Sequence, residues 1–154
     1  MTNLCCDVLK ALTGKTLVTA ESLTGGGIGS GITAIPGSSE VYKGGVISYT
    51  NWVKHNILGV PTDILETHGA VSEPVAAAMA EGVRSLLNAD IAVSVTGLAG
   101  PGGDEYGNPV GTVFIGYCDA KQTIVKHCLF EGSREEIRRQ TIEAALETVL
   151  KYNI

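Results

Sequence analysis

Thr16 to Gly31 reads TLVTAESLTGGGIGSG. A short β-prone run, Thr16 to Ala20, gives way to one acid and two hydroxyls, and then to five glycines in seven residues, Gly25 to Gly31. A buried strand that enters a glycine-rich turn and then a helix belongs to an open α/β sheet. At the carboxyl ends of such strands, loops and helix N-termini point free N–H groups outward, and ligands collect there. In this reading Thr24 caps the helix, and Gly25, Gly26 and Gly27 form its first turn. Without Cβ atoms, that turn lets a substrate lie against the backbone.

The flanking sequence supplies the rest of such a fold. Cys5, Val8, Leu9 and Leu12 recur at helical spacing, and Gly14 supplies a stop. Further on, YKGGVISYTNWVKHNILGV reads as a strand over Gly45 to Tyr49 and a helix from Asn51 to about Leu58. Ser72 is placed as an N-cap, followed by Glu73 and Pro74, for a helix with a buried stripe of Val75, Met79, Val83, Leu86 and Leu87. DIAVSVTG is a buried-type strand. The glycine-rich GLAGPGGDEYGNPVG then leads into TVFIGYC and TIVKHCLF, two strands joined by a turn at Asp119 to Gln122. Ser133 and Glu136 form a capping box for a final helix reaching Tyr152, with Ile142, Leu146, Val149 and Leu150 on its apolar face. Alternating helices and strands with a late hairpin predict a three-layer α/β/α domain over residues 1–154, built on a mixed, mostly parallel sheet.

Composition narrows the function. With 16 acidic against 11 basic residues and a net charge of −5, the chain has no electrostatic footprint for nucleic acid. No apolar run approaches the roughly 18 residues needed to span a bilayer, and Met1 to Lys15 has no basic start typical of a signal peptide, so a cytoplasmic protein without membrane contact is expected. Cys5, Cys6, Cys118 and Cys128 lack zinc spacing, His55, His68 and His127 lack metal-ligand spacing, and the cysteines read as reduced thiols. No phosphate-loop or nucleophile-elbow motif is present, and the nearest G-x-G-x-x-A, Gly29 to Ala34, begins inside the helix.

Ser22, at the strand-to-helix junction, is the hydroxyl best placed for nucleophilic attack. A lysine with a lowered pKa can serve as its base, and Lys54, after the aromatic-rich SYTNWVK, is the lysine candidate. The plainer alternative is that Ser22 caps the turn and Lys54 is a solvated helix residue.

The chain also resembles the CinA C-terminal domain family, which includes stand-alone nicotinamide mononucleotide deamidases. The likeness runs through AESLTGG, IPGSSEVYKGGVISYTNWVKHNILGV, GAVSEPVAAAMAEG, VTGLAGPGG, PVGTV and GSREEIRRQT, in that order. The resemblance implies hydrolysis of the nicotinamide carboxamide of the mononucleotide to nicotinate mononucleotide and ammonia, with no metal or organic cofactor, in a homo-oligomer. It implies Ser22 as nucleophile, Tyr49 and Lys54 as its catalytic partners, and Thr96 of TGLAGP as a pocket residue; Gly97 and Gly100 of the same glycine-rich stretch are further substrate-binding candidates. Lys54 would deprotonate Ser22 directly or through Tyr49. Thr24, Gly25 and Gly26 would supply backbone N–H groups to the oxyanion.

For the substrate's 5′-phosphate, Arg134 and Arg138 are candidates, because cations in a first helical turn oppose the dipole unless an anion is near. Glu135 offers Arg138 an intrahelical alternative. The chain departs from the family pattern at Leu23, at Asp104 to Asn108 and at Ser133. Larger members carry an N-terminal domain whose activities are not carried over. The competing function is a non-catalytic nucleotide-binding or interaction protein linked to competence or DNA damage.

Overall fold

The computed structural model describes residues 1–153, so the expected boundary at residue 154 lies outside the described residues. Five strands form one sheet in the order β2-β1-β3-β4-β5. They are β1 (Leu17–Glu21), β2 (Tyr42–Ile47), β3 (Ile91–Gly97), β4 (Thr112–Cys118) and β5 (Thr123–Leu129). β1 pairs in parallel with both β2 and β3, and the β3–β4 and β4–β5 pairs are antiparallel. The sheet is mixed, with the parallel pairings confined to β2, β1 and β3.

All five residues of β1 are buried, as a strand flanked on both edges and covered on both faces requires. Its alternation directs Leu17 to a core shared with α1 (Thr2–Ala11), α2 (Gly27–Thr33) and α6 (Arg134–Tyr152). Val18 and Ala20 enter the opposite core, under α4 (Thr62–His68) and α5 (Glu73–Leu86). These are the two outer layers of the α/β/α sandwich. α6 begins at the expected capping box, in which Ser133 and Glu136 each bond the other's backbone N–H. Cys5, Cys118 and Cys128 are buried free thiols, and Cys6 is half-buried.

Several boundaries differ from the sequence reading. β2 lies at Tyr42–Ile47 rather than Gly45 to Tyr49, because its register on β1 starts at Leu17 opposite Tyr42 and ends at Glu21 opposite Ile47. The short helix α3 (Asn51–Asn56) ends at Asn56 instead of near Leu58. The seven-residue α4 is too short for periodicity to reveal. On α5, Leu86 is 52% exposed, and the small Ala76 and Ala80 complete the buried stripe.

Candidate functional site

The site forms where the three parallel strands end. Past β1, the Ser22 N–H donates to Val95 O of β3, and past β2 the Ser48 N–H donates to Glu21 O, so both neighbours of β1 anchor the segment carrying Ser22. After Ser48 the chain turns into α3 (Asn51–Asn56), where the Thr50 hydroxyl caps the N–H of Val53. One turn of helix then brings Lys54 back under the strand ends. Its side chain is 1% exposed, and its Nζ lies 3.1 Å from Ser22 Oγ. Of the two places the sequence allows Lys54, solvated on its helix or covered as a base, the buried one is found.

Lys54 Nζ has two further partners, the carbonyl of Ser48 at 2.7 Å and that of Tyr49 at 3.3 Å. Burial without a compensating anion lowers its pKa from 10.5 to about 8. The three contacts suit a neutral amine, because two carbonyls can only accept and so fix two N–H hydrogens. In the neutral form the remaining direction is the lone pair, which then faces the Ser22 hydroxyl. Such an arrangement can take a proton from Ser22 as its oxygen attacks an electrophile.

The glycine-rich turn is built differently from the expectation. Thr24 is not the helix cap, and Gly25 and Gly26 are not in the first turn. Their φ values of 58° and 98° are left-handed, Gly26 is the N-cap, and the helix starts at Gly27. The cause is Glu21, which the sequence analysis did not single out. This carboxylate, 2% exposed, accepts from the Thr24 hydroxyl at 2.6 Å and from the N–H groups of Ile28 at 2.8 Å and Gly29 at 3.1 Å. The Thr19 hydroxyl adds a weaker contact at 3.4 Å. A side chain from the preceding strand therefore caps α2, which frees Thr24 from that task and bends the intervening loop. The available signal was an acid ending an otherwise uncharged strand.

Of the amides expected to face an oxyanion, that of Gly25 donates instead to Ser22 O at 3.1 Å. Those of Thr24 and Gly26 have no acceptor among the described residues. Arg138 clamps the same loop from α6, with Nε donating to Leu23 O at 2.9 Å and Nη2 to Thr24 O at 3.1 Å. Arg134 joins two other segments, donating to Gly100 O at 2.6 Å and to the Tyr49 hydroxyl at 3.3 Å. Both arginines thus carry backbone contacts that their helix position did not reveal.

Tyr49, 59% exposed, enters the lysine pocket through its carbonyl, and its hydroxyl points to Arg134. The lysine–serine contact is direct, with no tyrosine hydroxyl between. Thr96 is buried and donates to Ala70 O at 2.7 Å, which ties the end of β3 to the segment before α5. Gly97 abuts β4, where a Cβ would lie 2.7 Å from a Val113 methyl and 2.8 Å from Thr112 O, so it serves close packing.

Residues 2–153 match the CinA C-terminal domain. The chain belongs to the CinA family. A CinA-like protein of Sulfurihydrogenibium sp. (strain YO3AOP1) is 47% identical over 140 residues, covering 91% of this chain and 35% of that protein. One of Gemmatimonas aurantiaca is 47% identical over 137 residues, covering 89% and 32%. This CinA chain therefore spans about a third of the length of these curated relatives. Two solved structures share its fold at a TM-score of 0.96: the competence damage-inducible protein A of Klebsiella pneumoniae, 35% identical, and the competence/damage inducible protein CihA of Agrobacterium tumefaciens, 38% identical. The first covers 98% of this chain and 95% of its own, the second 99% and 95%. Among the described residues, no helix is long and apolar enough to cross a membrane.

Proposed function

We propose that this CinA-family chain is an amidohydrolase that converts nicotinamide mononucleotide to nicotinate mononucleotide and ammonia through an acyl-serine intermediate. The observation that carries the reading is the 3.1 Å contact between Ser22 Oγ and a buried lysine amine whose pKa is lowered to about 8. Ser22 attacks the carboxamide carbon while its proton passes to Lys54. The oxyanion faces the free amides of Thr24 and Gly26, where each donor is worth roughly 3 kcal/mol. Lys54 returns the proton to the departing nitrogen, ammonia leaves, and water attacks the ester with Lys54 again as base. The 5′-phosphate is proposed to lie near Arg134, Arg138 and the turn from Gly100 to Gly103.

Ammonia release from nicotinamide mononucleotide by the purified chain tests the reading. Turnover is expected, with a much lower kcat/KM for the riboside, which lacks the phosphate that positions the amide. Thermal stabilisation by the mononucleotide without ammonia release would instead indicate a binding module. Neither response would indicate an interaction protein.

A further inference from the structure

Among the described residues, one buried side-chain polar atom has no hydrogen-bond partner, and it is Ser48 Oγ. Ser48 is wholly inaccessible, and a buried hydroxyl without a partner is destabilising relative to alanine. It stands at the catalytic pair, since its own carbonyl lies 2.7 Å from Lys54 Nζ. Its backbone is fixed on both sides, the N–H on Glu21 O and the C=O on Lys54. The freedom left to the hydroxyl is rotation about χ1.

We infer that Ser48 is a positioning residue of the Ser22–Lys54 pair, its hydroxyl accepting the third Lys54 hydrogen while Ser22 Oγ is bonded to the substrate carbon in the tetrahedral intermediate. This rests on the acyl-serine reading above. In the resting site Lys54 has a partner for every direction, two carbonyls and the Ser22 hydroxyl. As the bond from Ser22 Oγ to the carbonyl carbon forms, the carbonyl π pair moves to oxygen and the serine proton moves to Nζ. Lys54 is then an ammonium with three hydrogens. Two stay on the carbonyls of Ser48 and Tyr49, and the third faces an oxygen now bonded to carbon on both sides, a poor acceptor. A buried ammonium with an unpartnered N–H is costly. Rotation of Ser48 about χ1 supplies an acceptor from a residue already touching the amine. The proton is held until it passes to the leaving nitrogen and ammonia departs, after which Lys54 is neutral and the Ser48 hydroxyl is released.

The test compares the full chain with its Ser48→Ala form in three readouts: kcat and KM for ammonia release from nicotinamide mononucleotide, the rate at which a fluorophosphonate esterifies Ser22, and Tm. The phosphonate reads the serine–lysine pair whatever amide is the substrate. Ser48→Ala is expected to lower kcat and the esterification rate by about 10-fold or more, with KM unchanged and Tm equal or higher. Ser48→Thr keeps the hydroxyl and should retain more of the rate than Ser48→Val, which has nearly the same volume. That pair also decides the matter should the alanine form fail to fold. Wild-type rates in Ser48→Ala, or equal rates in the threonine and valine forms, would overturn the inference while leaving the acyl-serine reading intact. If the unaltered chain neither reacts with the phosphonate nor releases ammonia, the acyl-serine reading itself fails, and the role of Ser48 with it.

Discussion

A lysine amine held at 1% exposure by one hydroxyl and two carbonyls, with no anion among them, gives up its proton more readily than an exposed lysine. Its pKa of about 8 makes a substantial neutral fraction available near physiological pH. Since kcat/KM reports the free enzyme, it is expected to rise with pH through about 8 and level off above, and a flat profile from pH 6 to 10 would exclude Lys54 as base. Ser22→Ala tests the partner. Deamidation should fall by at least ~1,000-fold while mononucleotide binding and Tm persist, because a nucleophile carries the chemistry and little of the fold. Near-normal turnover in that variant would remove the acyl-serine mechanism. Ser22 was recognisable in the sequence by its place after a strand and before a glycine turn. The burial of Lys54 was not, since an isolated lysine in a six-residue helix looks the same whether solvated or covered.

The segment from β1 to α2 works as one element because a strand side chain and a distant helix both hold it. Glu21 ties Thr24, Ile28 and Gly29 together, and Arg138 fastens the carbonyls of Leu23 and Thr24 from the far end of the chain. Charge-assisted contacts of this kind are worth about 1.5–3 kcal/mol each. Arg138→Ala is therefore expected to lower Tm and to reduce kcat/KM by roughly 10- to 100-fold on nicotinamide riboside, because the loop holding Ser22 loosens whichever substrate is present, and by more on the mononucleotide, whose phosphate is proposed to lie near it. A loss confined to the mononucleotide would assign Arg138 chiefly to the phosphate. The helix-face position of Arg138 was legible in GSREEIRRQT. Its acceptors, more than 110 residues away in sequence, were not.

For the whole molecule, the site is a thermodynamic burden that pH can relieve. The folded pKa of Lys54, about 8, lies below the 10.5 of an exposed lysine, so between these values the unfolded chain binds more protons than the folded one. Stability contributed through Lys54 must then rise with pH across that window, and the cost of burying it is fully present below pH 8. Against Lys54→Met, which keeps length without a titrating group, the unaltered chain should gain about 3 kcal/mol in relative stability between pH 7 and 10.5. Denaturant unfolding of both forms measures it, and parallel pH curves would contradict a buried, neutral-prone amine.

By itself the sequence determined the layered α/β/α class, the capping box of the last helix, the glycine turn after the first strand and the place of Ser22 in it. These depend on residue periodicity and on interactions a few positions apart, which local sequence encodes directly. Tertiary structure alone decided that Glu21 rather than Thr24 caps α2, that Arg138 holds the loop carrying Ser22, that Tyr49 offers Lys54 a carbonyl rather than a hydroxyl, and that Ser48 is buried without a partner. The physical reason is that the ends of β1, β2 and β3 meet only when the sheet forms. Burial, pKa and hydrogen-bond partners at that meeting point depend on which distant atoms arrive there.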